Sequence, residues 1–114
     1  MAALANLPQA LESFTRAVAQ REGARFRSAI LFGSHARGDA GADSDVDVAV
    51  VLDGPPGGAL DAVLDLSAVA YDVLLDTGVL IQPVPVRSDE WENPERHSNP
   101  RLLANIRREG RVLP

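Results

Sequence analysis

Apolar positions change their period along this chain of 114 residues. In PQALESFTRAVAQRE (8–22), Leu11, Phe14 and Val18 recur at spacings of three and four, which predicts a helix with one apolar stripe. Pro8 lies in its first turn and Gly23 ends it. RFRSAILF (25–32) follows as a strand, with Phe26, Ala29, Ile30, Leu31 and Phe32 as its apolar members. GSHARGDAGADS (33–44) then breaks the pattern with three glycines and no large apolar residue, so it reads as a surface loop or a loop around a short helix. DVDVAVVL (45–52) alternates as a strand does, with Asp45, Asp47, Ala49 and Val51 on one face and Val46, Val48, Val50 and Leu52 on a core face. DGPPGG (53–58) is a stop and turn. Residues 59–77 predict a long helix whose wide apolar face holds Leu60, Val63, Leu64, Leu66, Val69, Ala70, Val73 and Leu74, closed by Gly78. VLIQPVPV (79–86) reads as a third strand, which must end or lie at a sheet edge because Pro83 and Pro85 have no N–H to donate. Ser88-Asp89-Glu90 starts a short turn through Trp91. PRLLANIRRE (100–109) is a closing helix with Leu102, Leu103 and Ile106 inward and Gly110 as its stop.

The predicted order is therefore α-β-(loop)-β-α-β-α. A helical crossover joins the second and third strands, which predicts a parallel pair. The fold class is α+β or α/β: a small mixed sheet of three to four strands covered by helices, in a single domain over residues 1–114. Composition sharpens this picture in one respect. Aromatic residues make up 4% of the chain and hydrophobic residues 46%, so Val, Leu, Ile and Ala must build the core.

Charge and missing residue types remove several kinds of chemistry. Eleven basic residues stand against sixteen acidic ones, a net charge of −5, which argues against binding duplex DNA through a basic surface. All eleven are Arg, so a lysine nucleophile or Schiff base is excluded. Cysteine is absent, which excludes disulfides, thiolate zinc sites, iron–sulfur clusters and cysteine nucleophiles, and fits the cytoplasm. Apolar runs are too short for a membrane span, and Met1–Ala10 lacks the basic start of a signal peptide.

The candidate chemistry lies between Leu31 and Leu52. Asp45 and Asp47, two apart on a strand, share a face with Cα atoms about 6–7 Å apart. Two carboxylates about 5 Å apart at an effective dielectric near 20 repel by about 3 kcal/mol. A divalent cation relieves that repulsion, and hard oxygen ligands suit Mg²⁺. Gly33-Ser34, directly after a strand, can offer backbone N–H groups and a hydroxyl to a phosphate, helped by the dipole of any short helix that follows. Arg37 adds a planar fork suited to phosphate oxygens, and Gly38 lets the chain turn away. Together these groups describe a nucleoside triphosphate site, with phosphates on Gly33, Ser34 and Arg37 and metal on Asp45 and Asp47.

Gly33-Ser34, ten residues, then Asp45-Val46-Asp47 resembles the signature of the DNA polymerase beta-like nucleotidyltransferase superfamily. The run GSHARGDAGADSDVD is similar to its small prokaryotic members, the minimal nucleotidyltransferases, and IRREGRVL (106–113) resembles the ending of a subset of them. The resemblance implies the polymerase beta-like nucleotidyltransferase fold. It implies Mg²⁺ ions between the carboxylates and the triphosphate of ATP, attack of an acceptor hydroxyl on the α-phosphorus, and departure of pyrophosphate. It carries Asp45 and Asp47 over as catalytic metal ligands, Gly33 and Ser34 as nucleotide binders, Arg37 as a helper and Ser44 as a donor that orients Asp45. It also implies a partner, because such small proteins are often antitoxins of HEPN-type toxins, some of which they neutralise by adenylylating a tyrosine. The chain departs from the pattern at the third carboxylate, which the family usually carries on the strand beside Asp-x-Asp. Gln82 is the polar side chain on the matching strand, while Asp76 and Asp89 flank it.

Other readings stand beside these. Taken singly, Asp45/Asp47 is a solvated strand end, Gly33-Ser34 a tight turn, and Arg37 the partner of Asp39 or Asp43. His35 and His97 read as surface or packing residues. Asp61, Asp65, Asp72 and Asp76 fall in one stripe of the long helix, a solvated face or a docking stripe for a basic partner. Arg101, Arg107, Arg108 and Arg111 form a basic end that could complement it in a dimer, contact a partner, or simply solvate the helix. Three functions follow: AMP transfer from ATP to a hydroxyl of a partner protein, a catalytically weak or inactive antitoxin that acts by binding, and a stand-alone small-molecule transferase assembled as a homodimer or other homo-oligomer.

Overall fold

The computed structural model describes residues 6–41, 45–54 and 58–114, with residues 58–60 as backbone alone. Helix α1 (Leu7–Glu22) carries a proline in its first turn and buries Ala10, Phe14 and Val18, four residues apart. A 3₁₀ turn, Gly23–Arg25, leads into β1 (Phe26–Phe32). A single-turn helix α2 (Ser34–Arg37) stands inside the glycine-rich segment, followed by β2 (Val46–Leu52), α3 (Gly58–Thr77) and β3 (Ile81–Arg87). The chain ends with α4 (Ser88–Glu92), a 3₁₀ turn at Pro94–Arg96, α5 (Pro100–Glu109) and β4 (Arg111–Val112).

The four strands form one mixed sheet in the order β3-β2-β1-β4. β1 runs antiparallel to β2 and β4, and β2 runs parallel to β3 across the α3 crossover, as its connection requires. β3 lies at the sheet edge. Pro83 and Pro85 are two apart, so their missing donors fall on the same side of the strand, which an edge can leave unpaired.

Both faces of β2 are buried, and this holds the strand in place. Val46, Val48, Val50 and Leu52 pack with Phe14 and Val18 of α1 and Leu66, Val69 and Val73 of α3. Ala49 and Val51 pack on the opposite face with Ile30, Val86, and Leu103 and Ile106 of α5. The sheet is thus the middle of three layers.

Two expectations are revised. α3 buries a narrower arc than its composition suggests: Val63 is 42% and Leu64 58% exposed. Ala62, Leu66, Val69, Ala70, Val73 and Thr77 already fill the arc facing the sheet, so Val63 and Leu64 point elsewhere. The edge strand β4 adds a pairing of Arg111 and Val112 with Leu31 and Ile30. Gly110 permits it, because a Cβ there would strike the Ile106 carbonyl and the Ile30 side chain. α5 is capped by the Asn99 side chain, which accepts from the N–H of Leu102 at 3.2 Å, and is tied to α4 by the Arg107 guanidinium 4.2 Å above the Trp91 ring. Among the described residues no helix is long and apolar enough to cross a membrane.

Phe14 is fully buried between α1 and the sheet, whereas Leu64 faces outward. Phe14→Ala is expected to lower unfolding stability by about 3–5 kcal/mol. Leu64→Ala should change it by about 0.5 kcal/mol or less. Urea denaturation of the two variants checks this ordering.

Candidate functional site

The antiparallel register places the end of β1 beside the start of β2, with Phe32 opposite Asp47. The chain leaves β1 through Gly33, whose φ of 77° and ψ of −155° suit glycine alone. A Cβ at Gly33 would also overlap the Asp47 carboxylate. Glycine is therefore required twice at this corner, once by backbone conformation and once by close approach. The Gly33 carbonyl accepts from the N–H groups of Ala36 at 3.1 Å and Arg37 at 3.0 Å, which starts α2 at Ser34. The Ser34 carbonyl accepts from Gly38 at 3.0 Å and Asp39 at 3.1 Å, which ends it. Gly33, Ser34 and Asp47 are thus gathered at one corner of the sheet.

Asp45 lies one residue before β2 and is exposed, while Asp47 is half-buried within it. Burial pushes the Asp47 carboxyl above the usual carboxylate range, and the negative charge of Asp45 pushes it further. His35 and Arg37 act against this shift without cancelling it. The corner therefore holds Asp47, a carboxylate that the protein's own cations leave under-compensated, beside the exposed Asp45. Such a pair, made of hard oxygen donors, fits a divalent cation.

Arg37 is engaged on both sides. Its Nε donates to Asp39 at 3.1 Å and its Nη1 to Glu109 at 3.1 Å. The ion pair with Asp39 is the surface pairing the sequence suggests, whereas the bond to Glu109 joins residues far apart in the chain and has no sequence signal. It is the last residue of α5, so its bond to Arg37 brings the closing helix to the corner. Asp43 and Ser44 lie outside the described residues. The sequence suggests a surface or packing role for His35, and the structure places it within electrostatic reach of Asp47. A residue on a one-turn helix has no periodicity from which that position could be read.

Gln82 stands beside Asp47 in the parallel register of β2 and β3, so the two share a face of the sheet. Gln82 is exposed and neutral. Asp89 pairs with Arg87, beyond the far end of β3. Among the described residues no three His, Asp or Glu side chains gather as a metal cage.

A cleft of about 330 Å³ opens at the opposite end of the sheet, lined among others by Arg25, Leu52, Asp53, Arg87 and His97. Its two carboxylates already have partners: Asp53 accepts from Arg27 at 2.8 Å and from the Ser88 hydroxyl at 2.9 Å, which holds its pKa below the usual range, and Glu90 accepts from the Arg87 N–H at 3.3 Å. The cleft places His97 at the end of β2 away from the two aspartates.

Comparison with known proteins agrees on one family. The family described as "Nucleotidyltransferase domain" matches residues 11–107. A protein of Methanocaldococcus jannaschii named "Putative protein adenylyltransferase MJ0604" is 36% identical over 108 residues, which span 95% of this chain and 98% of that protein. Among solved structures, a "putative nucleotidyltransferase from Sulfolobus solfataricus" superposes with a TM-score of 0.61 over 98% of this chain and 86% of its own, at 16% identity. A "toxin-antitoxin with AMP-PNP" superposes with a TM-score of 0.60 over 91% of this chain and 69% of its own, also at 16% identity. At that identity the two structures speak to the fold, which they share with this chain.

Two measurements probe the corner itself. Gly33→Ala is expected to lower stability by about 1–3 kcal/mol in urea unfolding, since it forces a side chain into a conformation reserved for glycine. Asp47 holds its proton more tightly folded than unfolded, so the folded state is favoured at low pH and loses that advantage as pH rises through the raised pKa. Asp47→Asn in metal-free protein should therefore raise the melting midpoint at pH 7. The gain should shrink toward pH 4, and an equal gain at both pH values would contradict the assignment.

Proposed function

The chain belongs to the nucleotidyltransferase domain family, and on that premise we propose that it transfers AMP from ATP to a hydroxyl of a partner protein. The observation that carries this reading is the corner where Gly33, Ser34 and Asp47 meet beside Asp45. The likeness over nearly full length to a protein named as a protein adenylyltransferase supports the class of reaction. In the reaction, the acceptor oxygen forms a bond to the α-phosphorus, the bond from that phosphorus to the bridging oxygen breaks, pyrophosphate leaves, and the hydroxyl proton passes to the medium.

Each residue has a defined task. Backbone N–H groups at Gly33 and Ser34, with the Ser34 hydroxyl, hold phosphate oxygens. Arg37 exchanges a carboxylate for a phosphate oxygen, using the same planar fork. Asp45 and Asp47 would hold Mg²⁺, with Ser44 as the donor that would orient Asp45. When bound, the metal offsets negative charge on the triphosphate as it develops toward pyrophosphate. Asp47 must be ionised to bind a metal, so its raised pKa makes metal affinity fall on acidification at a higher pH than an ordinary aspartate would. The partner is a HEPN-type toxin and the compartment is the cytoplasm. The toxin–antitoxin structure with its ATP analogue supports the pairing by likeness of fold.

One observation favours a second reading. Gln82 occupies the register position beside Asp47, where a third carboxylate would complete the metal site. A chain with that neutral side chain can neutralise its partner by binding, with little or no turnover.

Intact-mass measurement of a candidate partner after incubation with this chain, ATP and Mg²⁺ separates the readings. A gain of one AMP unit, lost in the Asp45→Ala/Asp47→Ala variant, is the expected result. An unmodified partner that remains neutralised by the double variant would instead support the binding role. Gln82→Asp should increase the rate of AMP transfer if the missing carboxylate limits it.

A further inference from the structure

The outward side of α3 carries a row of apolar residues from Leu64 to Leu75. Leu64 is 58%, Tyr71 60% and Leu75 65% exposed, and Ala68 is exposed between them. At 3.6 residues per turn, positions 64, 68, 71 and 75 form one straight row opposite the buried Leu66, Val69 and Val73. The row runs about 16 Å, three turns of helix. Leu80, 44% exposed, follows the helix, and its carbonyl accepts from the N–H of Val46, the residue after Asp45, at 3.2 Å. The C-terminal end of α3 therefore leads to the end of the sheet that holds the aspartates.

One flank of this row is acidic. Asp61, Asp65, Asp72 and Asp76 fall together on the same side of it, while Val63, Ser67 and Leu74 form the other. Asp65 is paired with Arg21 at 3.2 Å. No salt bridge joins Asp61, Asp72 or Asp76 to another described residue. A row at i, i+4, i+7 and i+11 is the pattern by which one helix receives another, and the acidic flank selects the charge and direction of its guest.

We infer that this face of α3 docks a basic amphipathic helix of a partner protein, with apolar residues on Leu64, Ala68, Tyr71 and Leu75 and Arg or Lys beside Asp61, Asp72 and Asp76. A second copy of this chain is a poorer guest. It brings a net charge of −5, and antiparallel pairing of two such faces about a twofold axis places both acidic flanks on one edge. The inference rests on the partner-directed reading above. Its test uses no nucleotide or metal, so docking and AMP transfer can fail separately.

Two synthetic helical peptides of about 18 residues serve as probes. Both carry leucines at i, i+4, i+7 and i+11; one has arginines along one flank and the other has glutamates there. Fluorescence anisotropy with the full chain is expected to show saturable binding of the arginine peptide and none of the glutamate peptide. Leu75→Asp and Tyr71→Asp should each weaken binding by about tenfold or more. Asp72→Asn/Asp76→Asn should weaken it by about three- to tenfold and reduce its salt dependence. All these positions are exposed, so the variants should keep the wild-type melting midpoint, and circular dichroism checks that they are folded. Failure of the arginine peptide to bind, equal binding of both peptides, or undiminished binding to Leu75→Asp overturns the proposal. It is also overturned if light scattering finds a wild-type dimer that Leu75→Asp dissolves, because the face would then belong to a second copy.

Discussion

A carboxylate lying against a backbone corner with no room for a side chain is the contact on which the rest of this molecule depends. Asp47 occupies the space that a Cβ of residue 33 would fill. Holding it there requires β1 and β2 in fixed antiparallel register, and that register is fixed because β2 is buried on both faces. α1 and α3 cover one side, while α4 and α5 complete the other. The layers thus do more than exclude water. They hold one strand end beside one turn at a distance that flexible loops could not keep.

The same corner carries an electrostatic imbalance. Burial and the neighbouring Asp45 disfavour the charged form of Asp47, and the nearby cations do not make up the difference. Arg37 is shared between Asp39 and Glu109 and so is partly withdrawn from the pair. Stability alone would favour a neutral or apolar residue at position 47. A local conflict of this kind is expected where a fold gives up some stability for a charged ligand. Glu109 extends the arrangement to the end of α5, so an anion that recruits Arg37 would also loosen the contact between the closing helix and the corner.

Much of this was legible in the sequence, for reasons that can be named. Period-two alternation marked the strand that carries Asp47, although β2 begins at Val46 and leaves Asp45 just before it, and a glycine-serine pair after an apolar strand marked the turn. The helical crossover over 59–77 implied the parallel β2–β3 pair. The rest was hidden by physics. α3 carries apolar residues on two opposite sides, so its composition cannot tell the side that meets the sheet from the side that does not, and Leu64 belongs to the outward one. β4 is two residues long, below the reach of any alternation signal. The positions of His35 and Glu109 beside the corner follow from how α2 and α5 close on the sheet, and no local pattern encodes that closure.

Calorimetric titration of ATP with Mg²⁺ into the chain tests the central claim most directly, because it reads occupancy of the corner without needing an acceptor. Saturable heat from the wild type, absent in a folded Asp45→Ala/Asp47→Ala variant, is the predicted result. Equal heats from both proteins, or none from the wild type, would contradict a nucleotide site built on this corner.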